Sequence, residues 1–154
     1  MDNLSAVEQW AGALLAKLSP AGRRAAMRDI ARELRRSQQT RIAAQKNTDG
    51  TAYEPRKIKS GGKKLRDKRG RVKRTAMFTK LRMARWMTIE ADDRQLAVGF
   101  SGRVARVARV HQLGEKAPVA PGGPGYRYPV RLVLGLTDAE REMVRDRLLK
   151  YMTD

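Results

Sequence analysis

Three places in this 154-residue chain hold side chains of the kind that make or break bonds. His111 is the sole histidine. Imidazole titrates near neutrality and ligates metals, but a metal site needs several converging ligands, and the chain has no cysteine to supply one. A structural hydrogen bond at a helix end is the expected role. Asp92-Asp93 offers adjacent carboxylates. Metal-assisted hydrolysis needs carboxylates aimed at one ion, whereas neighbours in a tight connection point apart, so these two are expected to build a turn. Gly61-Gly62-Lys63-Lys64 has the residue types of a phosphate loop without its spacing or its strand–helix setting. The expectation is a chain with no catalytic residues, no metal and no cofactor.

The chemistry that does stand out is charge. Arg56 to Arg74 carries eleven bases, namely Arg56, Lys57, Lys59, Lys63, Lys64, Arg66, Lys68, Arg69, Arg71, Lys73 and Arg74, against the single acid Asp67. Its only sizeable apolar side chains are Ile58, Leu65 and Val72, too few to offset the entropy lost on ordering. A flexible basic loop is expected, one that takes form on a polyanion or an acidic neighbour. Docking on an acidic protein face is favoured over DNA contact, and both over a solvated loop without a partner. Bulky apolar anchors for a membrane surface are missing.

The whole chain agrees with that emphasis. There are 34 Lys and Arg against 16 Asp and Glu, a formal charge of +18, which favours partners that neutralise it. Aromatics make up 5% of the residues, poor material for a base-stacking platform. No apolar run reaches the roughly 20 residues that span a bilayer. Met1-Asp2-Asn3 lacks the basic start of a signal peptide, so a soluble protein made in the cytoplasm is expected.

The elements that must carry this charge follow from periodicity. Leu4, Val7, Ala11, Leu14, Leu15 and Leu18 share a face, with Ser5 and Glu8 at capping-box spacing, giving a helix over 6–18 with Trp10 beside the stripe. Ser19-Pro20 restarts the chain as cap and first helical residue of a helix over 20–45. Its arginines (23, 24, 28, 32, 35, 36 and 41) are expected to form a solvated face. Asn47-Thr48-Asp49-Gly50 stops it. One or two helical turns are expected near Met77–Arg82. Strands follow over 86–91 and 95–101, joined by Asp92-Asp93-Arg94 as an antiparallel hairpin. The stretch 102–113 is favoured as helix, with Gly114 past its end and strand as the alternative. Four prolines and three glycines make 115–129 a mobile loop. Val130, Leu132, Leu134 and Leu136 alternate as a third strand, and Thr137 with Glu140 caps a last helix that buries Val144, Leu148, Tyr151 and Met152. Trp10 and Trp86 are expected in the core or at a subunit interface.

The fold class is therefore α+β: two N-terminal helices, a basic flexible loop, a small antiparallel sheet with an inserted helix, and a C-terminal helix. One domain is expected over 1–154, divided into a helical part (1–50), the basic loop (51–75) and an α+β part (76–154). A sheet that small exposes edges, which favours oligomerisation.

The order of features resembles a known family. Arg35-Arg36-Ser37-Gln38-Gln39-Thr40-Arg41-Ile42 precedes the run from Gln45 through Asn47-Thr48-Asp49-Gly50 to Lys57. The basic stretch follows, then Ala108-Arg109-Val110-His111-Gln112-Leu113-Gly114, a Pro-rich loop, and Leu134-Gly135-Leu136-Thr137-Asp138-Ala139-Glu140. This layout is similar, over essentially the whole chain, to the phage virion morphogenesis family of contractile-tailed, peduovirus-type phages. The resemblance implies a structural protein of the virion tail or neck that completes the tail and readies it for the head. It further implies a homo-oligomeric ring, commonly a hexamer, stacked on tail tube, tail terminator or neck and connector proteins, with packaged DNA within reach. The family brings no catalytic residues. The alternative reading is a nucleic-acid-binding protein without sequence preference.

Overall fold

A computed structural model describes residues 3–15, 19–56 and 76–153. Of the basic run only Arg56 lies within them; Lys57 to Arg74 fall outside the described residues, as do residues 16–18 of the expected first helix.

Helix α1 spans Asn3–Leu15. Ser5 and Glu8 therefore sit inside the helix instead of capping it. Helix α2, Pro20–Ala43, begins as its sequence demands: the Ser19 hydroxyl accepts from the Gly22 amide at 3.1 Å and Pro20 occupies the first turn. Its buried side, Met27, Ile30, Ala31, Leu34, Gln38 and Ile42, repeats every three to four residues and makes α2 the spine of the molecule. The helix ends at Ala43, where Gln45 turns into the left-handed region at φ 58°. Asn47 to Thr51 then closes a tight reversal, with the Asn47 amide donating to the Thr51 carbonyl at 2.8 Å.

No regular helix forms over 79–86, but the Arg82 amide donates to the Phe78 carbonyl at 3.2 Å and the Met87 amide to the Met83 carbonyl at 2.9 Å, single helical turns of the kind expected. Strands β1 (Met87–Ala91) and β2 (Leu96–Phe100) pair antiparallel with Ile89 opposite Val98. Asp92 shapes their connection by accepting from the Arg94 and Gln95 amides, both at 2.7 Å, and those bonds hold its carboxyl below the usual carboxylate range. Asp93 turns the other way, to Arg23 of α2 at 3.3 Å. Helix α3 covers Arg103–Leu113 and stops at Gly114, whose φ of 64° fits the left-handed cap; the strand alternative falls. A Cβ at Gly114 would also lie 2.9 Å from Val130 Cγ2. Helix α4, Asp138–Thr153, opens on the expected reciprocal box: the Thr137 amide donates to Glu140 and the Glu140 amide to the Thr137 hydroxyl.

Two expectations for the C-terminal half fail. The Pro/Gly-rich loop contains a short hairpin, β3 (Lys116–Pro118) paired with β4 (Gly125–Arg127). The segment 130–136 is no strand, and its faces are inverted: Arg131 and Val133 are buried while Val130 is exposed. The described strands thus form two two-stranded hairpins, with α3 between them. The architecture is nonetheless α+β, with helices at both ends.

The core has two joined parts. Met27, Ile30 and Leu34 pack with Leu148 of α4, and Ala11, Leu96 and Val98 close over them. Ile42, Leu81, Met87, Ala108 and Val133 form the second part, against Phe78, Val98, Phe100 and Val104. Val98 belongs to both, so the hairpin face seals the two together. In α4, Leu148 is buried, whereas Val144, Tyr151 and Met152 are half-buried, and the Tyr151 hydroxyl reaches Asp29.

Candidate functional site

The two chain ends that border residues 57–75 return to one wall of the protein. The entering end is held by Arg131, which is 3% exposed. Its Nε donates to the Glu54 carbonyl at 2.8 Å, its Nη2 to the Pro55 carbonyl at 3.0 Å, and its Nη1 reaches His111 Nδ1 at 3.0 Å. The returning end is held by Gln45, whose amide brackets Met77: the Met77 N–H donates to Oε1 at 2.6 Å and Nε2 donates to the Met77 carbonyl at 2.9 Å. Phe78 follows in the left-handed region at φ 62°, which no glycine is there to relieve.

Between the two ends stands a line of rings. Tyr53 meets Phe78 edge-on at 5.4 Å, Phe78 meets His111 at 4.9 Å, His111 meets Tyr128 at 4.9 Å, and Tyr128 meets Tyr126 at 5.0 Å. Each is the edge-to-face arrangement that ring quadrupoles favour. Arg41 completes the wall from α2. Its Nη1 donates to the Lys46 carbonyl at 2.9 Å and the Leu132 carbonyl at 2.8 Å, and its Nη2 to the Val133 carbonyl at 2.8 Å. The expected solvated face of arginines therefore divides. Arg41 and Arg23 are tied down, while Arg24, Arg28, Arg32 and Arg36 are exposed.

The same device explains why 130–136 needs no strand partner. Gln112 Oε1 accepts from the Val133 and Leu134 amides at 2.9 and 3.0 Å, and its Nε2 donates to the Leu134 carbonyl at 3.1 Å. Asn47 Oδ1 accepts from the Leu132 amide at 2.8 Å. Backbone groups that a ladder would satisfy are met by side chains from α2, the turn after it and α3.

His111 is 7% exposed. Arginine has donors only, so Nδ1 must offer its lone pair, which places the proton on Nε2. Burial, and then the Arg131 charge, lower its pKa from 6.5 to about 4. The unfolded chain therefore takes up this proton more readily than the folded one. The histidine's contribution to stability is complete above pH 6.5 and declines as pH falls toward 4. We expect about 2 kcal/mol to be lost over that window, allowing for solvent at the ring edge. Urea unfolding at a series of pH values checks this, with His111→Gln as the comparison. The variant keeps an acceptor for Arg131 and does not titrate, so its stability should stay flatter across the window. Parallel curves would remove His111 as the cause.

Among the described residues no group of three His, Cys, Asp or Glu is placed to hold a metal ion. No described helix is long and apolar enough to cross a membrane. Trp10 is 40% exposed on α1. Trp86 is half-buried between the guanidinium groups of Arg85 and Arg103, 4.7 and 5.9 Å from its ring. Of the residues singled out in the sequence, the structure brings His111 to the wall described above and leaves Arg56 exposed just beyond Pro55; the other ten bases lie outside the described residues. Sequence reasoning missed Arg41, Gln45, Gln112 and Arg131. Only Arg131 left a trace, as a base inside an apolar alternation.

What these features define is a small α+β protein whose organised polar chemistry serves to fasten the roots of a cationic segment. The chain matches the phage virion morphogenesis family over residues 2–153 and belongs to it. It is 37% identical over 153 residues to the tail completion protein S of Escherichia phage P2, a likeness covering 99% of each chain. No solved structure matches it.

Proposed function

We propose that this chain is a structural component of a phage virion that completes the tail at its head-proximal end, as a ring of identical copies that readies the tail for the head. The observation that carries the proposal is the likeness to a tail completion protein over 99% of the chain. A hexamer is the stoichiometry that the resemblance implies. Tail tube, tail terminator and neck or connector proteins are its neighbours, and the basic run, Arg56 with the ten bases after it, docks on an acidic face among them, with packaged DNA as the other polyanion in reach. Fastened roots support this. Clamped ends limit where the segment leaves the body, so each copy in a ring presents its charge in the same direction.

A phage lacking this chain is expected to give filled heads and separate tails by electron microscopy, and supplying the protein in trans should restore joined particles. Joined, infectious particles from the deletion would overturn the proposal. The rival reading, a general nucleic-acid binder, is favoured by the charge alone. It requires the isolated protein to hold duplex DNA at physiological salt, with an affinity that falls steeply as salt rises.

A further inference from the structure

Two apolar surfaces remain open beside the core. The first is α1. Over Asn3–Leu15 this helix has one charged residue, Glu8, and no base, in a chain with 34 of them. Ala11 rests on the core, yet Leu4, Val7 and Trp10 remain 43%, 39% and 40% exposed. Three large apolar side chains within two turns are more than a soluble helix leaves in water without use. The second is a groove of about 250 Å³ between α3 and the segment after Arg131, walled by Phe100, Ala105, Leu113 and Leu134, with Arg109 and Gln112 also in its lining. Leu113 at its edge is 58% exposed and Val130, next to Gly114, is 54% exposed. The groove is smaller than the roughly 300–1,000 Å³ of small-molecule sites and suits a bulky side chain.

We propose that α1 of one copy seats in the α3 groove of the next, with Trp10 as the anchor. Charge selects a second copy as the occupant. Two chains of +18 repel, so a contact between them must form where bases are absent on one side. The helix α1 is such a surface, and its one acid, Glu8, would meet Arg109, the exposed base that lines the groove and pairs with Glu115 at 3.0 Å. Apolar surface meets apolar surface at the centre, and opposite charges meet at the rim, which is how stable interfaces are layered. Helix and groove are different surfaces, so the contact is heterologous. Such contacts propagate head to tail and close into a ring when the rotation allows. The inference deepens the ring in the proposed function and rests on that reading for its biological setting alone.

Two variants test it in purified protein. Trp10→Arg spoils the helix and leaves the groove; Leu113→Arg spoils the groove and leaves the helix. Both positions are exposed, so both proteins should keep the wild-type unfolding midpoint. By light scattering the wild type should rise above the single-chain mass of 17.3 kDa with concentration, and each variant alone should stay at it. An equimolar mixture should double in mass and stop there, because one intact helix and one intact groove remain. A mixture that stays monomeric, a Leu113→Arg protein that still self-associates, or a monomeric wild type would each overturn the proposal. If the masses come out as expected and a phage lacking the chain still makes joined particles, the interface stands and the functional reading fails.

Discussion

Replacing Arg131 with alanine is expected to lower the unfolding free energy by about 3–5 kcal/mol, the usual result of stripping a buried charged donor from its acceptors. The side chain is 3% exposed and its three nitrogens reach the Glu54 carbonyl, the Pro55 carbonyl and His111 Nδ1. His111 Nδ1 would be left without its donor in a place water reaches poorly, and the Glu54 and Pro55 carbonyls, on exposed residues, would lose the donor that fixes them. For a domain of this size the unfolding midpoint should fall by roughly 10 °C. Lysine should recover little, because a single ammonium cannot span acceptors that lie on both sides of a planar fork. Thermal and urea unfolding of both variants checks the claim. A loss under about 1 kcal/mol would place Arg131 among ordinary surface arginines.

The second large effect is functional and should leave stability alone. Changing the eleven bases from Arg56 to Arg74 to serine should reduce infectious, head-joined particles roughly 10³-fold or more, the scale on which complexes held by six to ten charge contacts respond when those contacts are weakened. The purified protein should keep its unfolding midpoint, since the roots are held by Tyr53, Gln45, Arg41 and Arg131 and none of these is changed. Full infectivity would remove the segment from assembly. Loss of the folded state would make it part of the scaffold. Binding of the unmodified protein to duplex DNA at physiological salt would shift its partner from protein to nucleic acid.

Sequence periodicity read well wherever one element supplied its own hydrogen bonds. The helix that starts at Ser19-Pro20, the hairpin turned by Asp92 and the helix stopped by Gly114 all follow from local rules, as does the Thr137–Glu140 box. It read poorly where the bonds come from far along the chain. The alternation Val130-Arg131-Leu132-Val133-Leu134 has the period of a strand, but Gln112, Arg41 and Asn47 take the backbone groups a neighbouring strand would have used. With the ladder gone, the choice of face passed to Arg131 and its acceptors, and it fell to the opposite parity. In 115–129 the proline and glycine count concealed a hairpin, because Pro118 lies at the end of β3, the turn contains Gly122 and Gly123, and Gly125 opens β4. The basic segment is legible in the sequence as charge. Its fastening was not, because a glutamine just past one helix and an arginine eighty-six residues later carry no shared pattern.

Those fastenings have a consequence for how this chain can change. Arg41, Gln45, Gln112 and most of Arg131's bonds address carbonyls and amides, atoms that every residue type shares. The clamping side chains are tightly specified, whereas the positions they grip are recognised without regard to identity. Leu132, Leu134, Glu54 and Pro55 can therefore drift within the limits of their packing, while the geometry of the segment's roots is preserved. A virion protein that must follow a changing neighbour can vary the contact and keep its mounting.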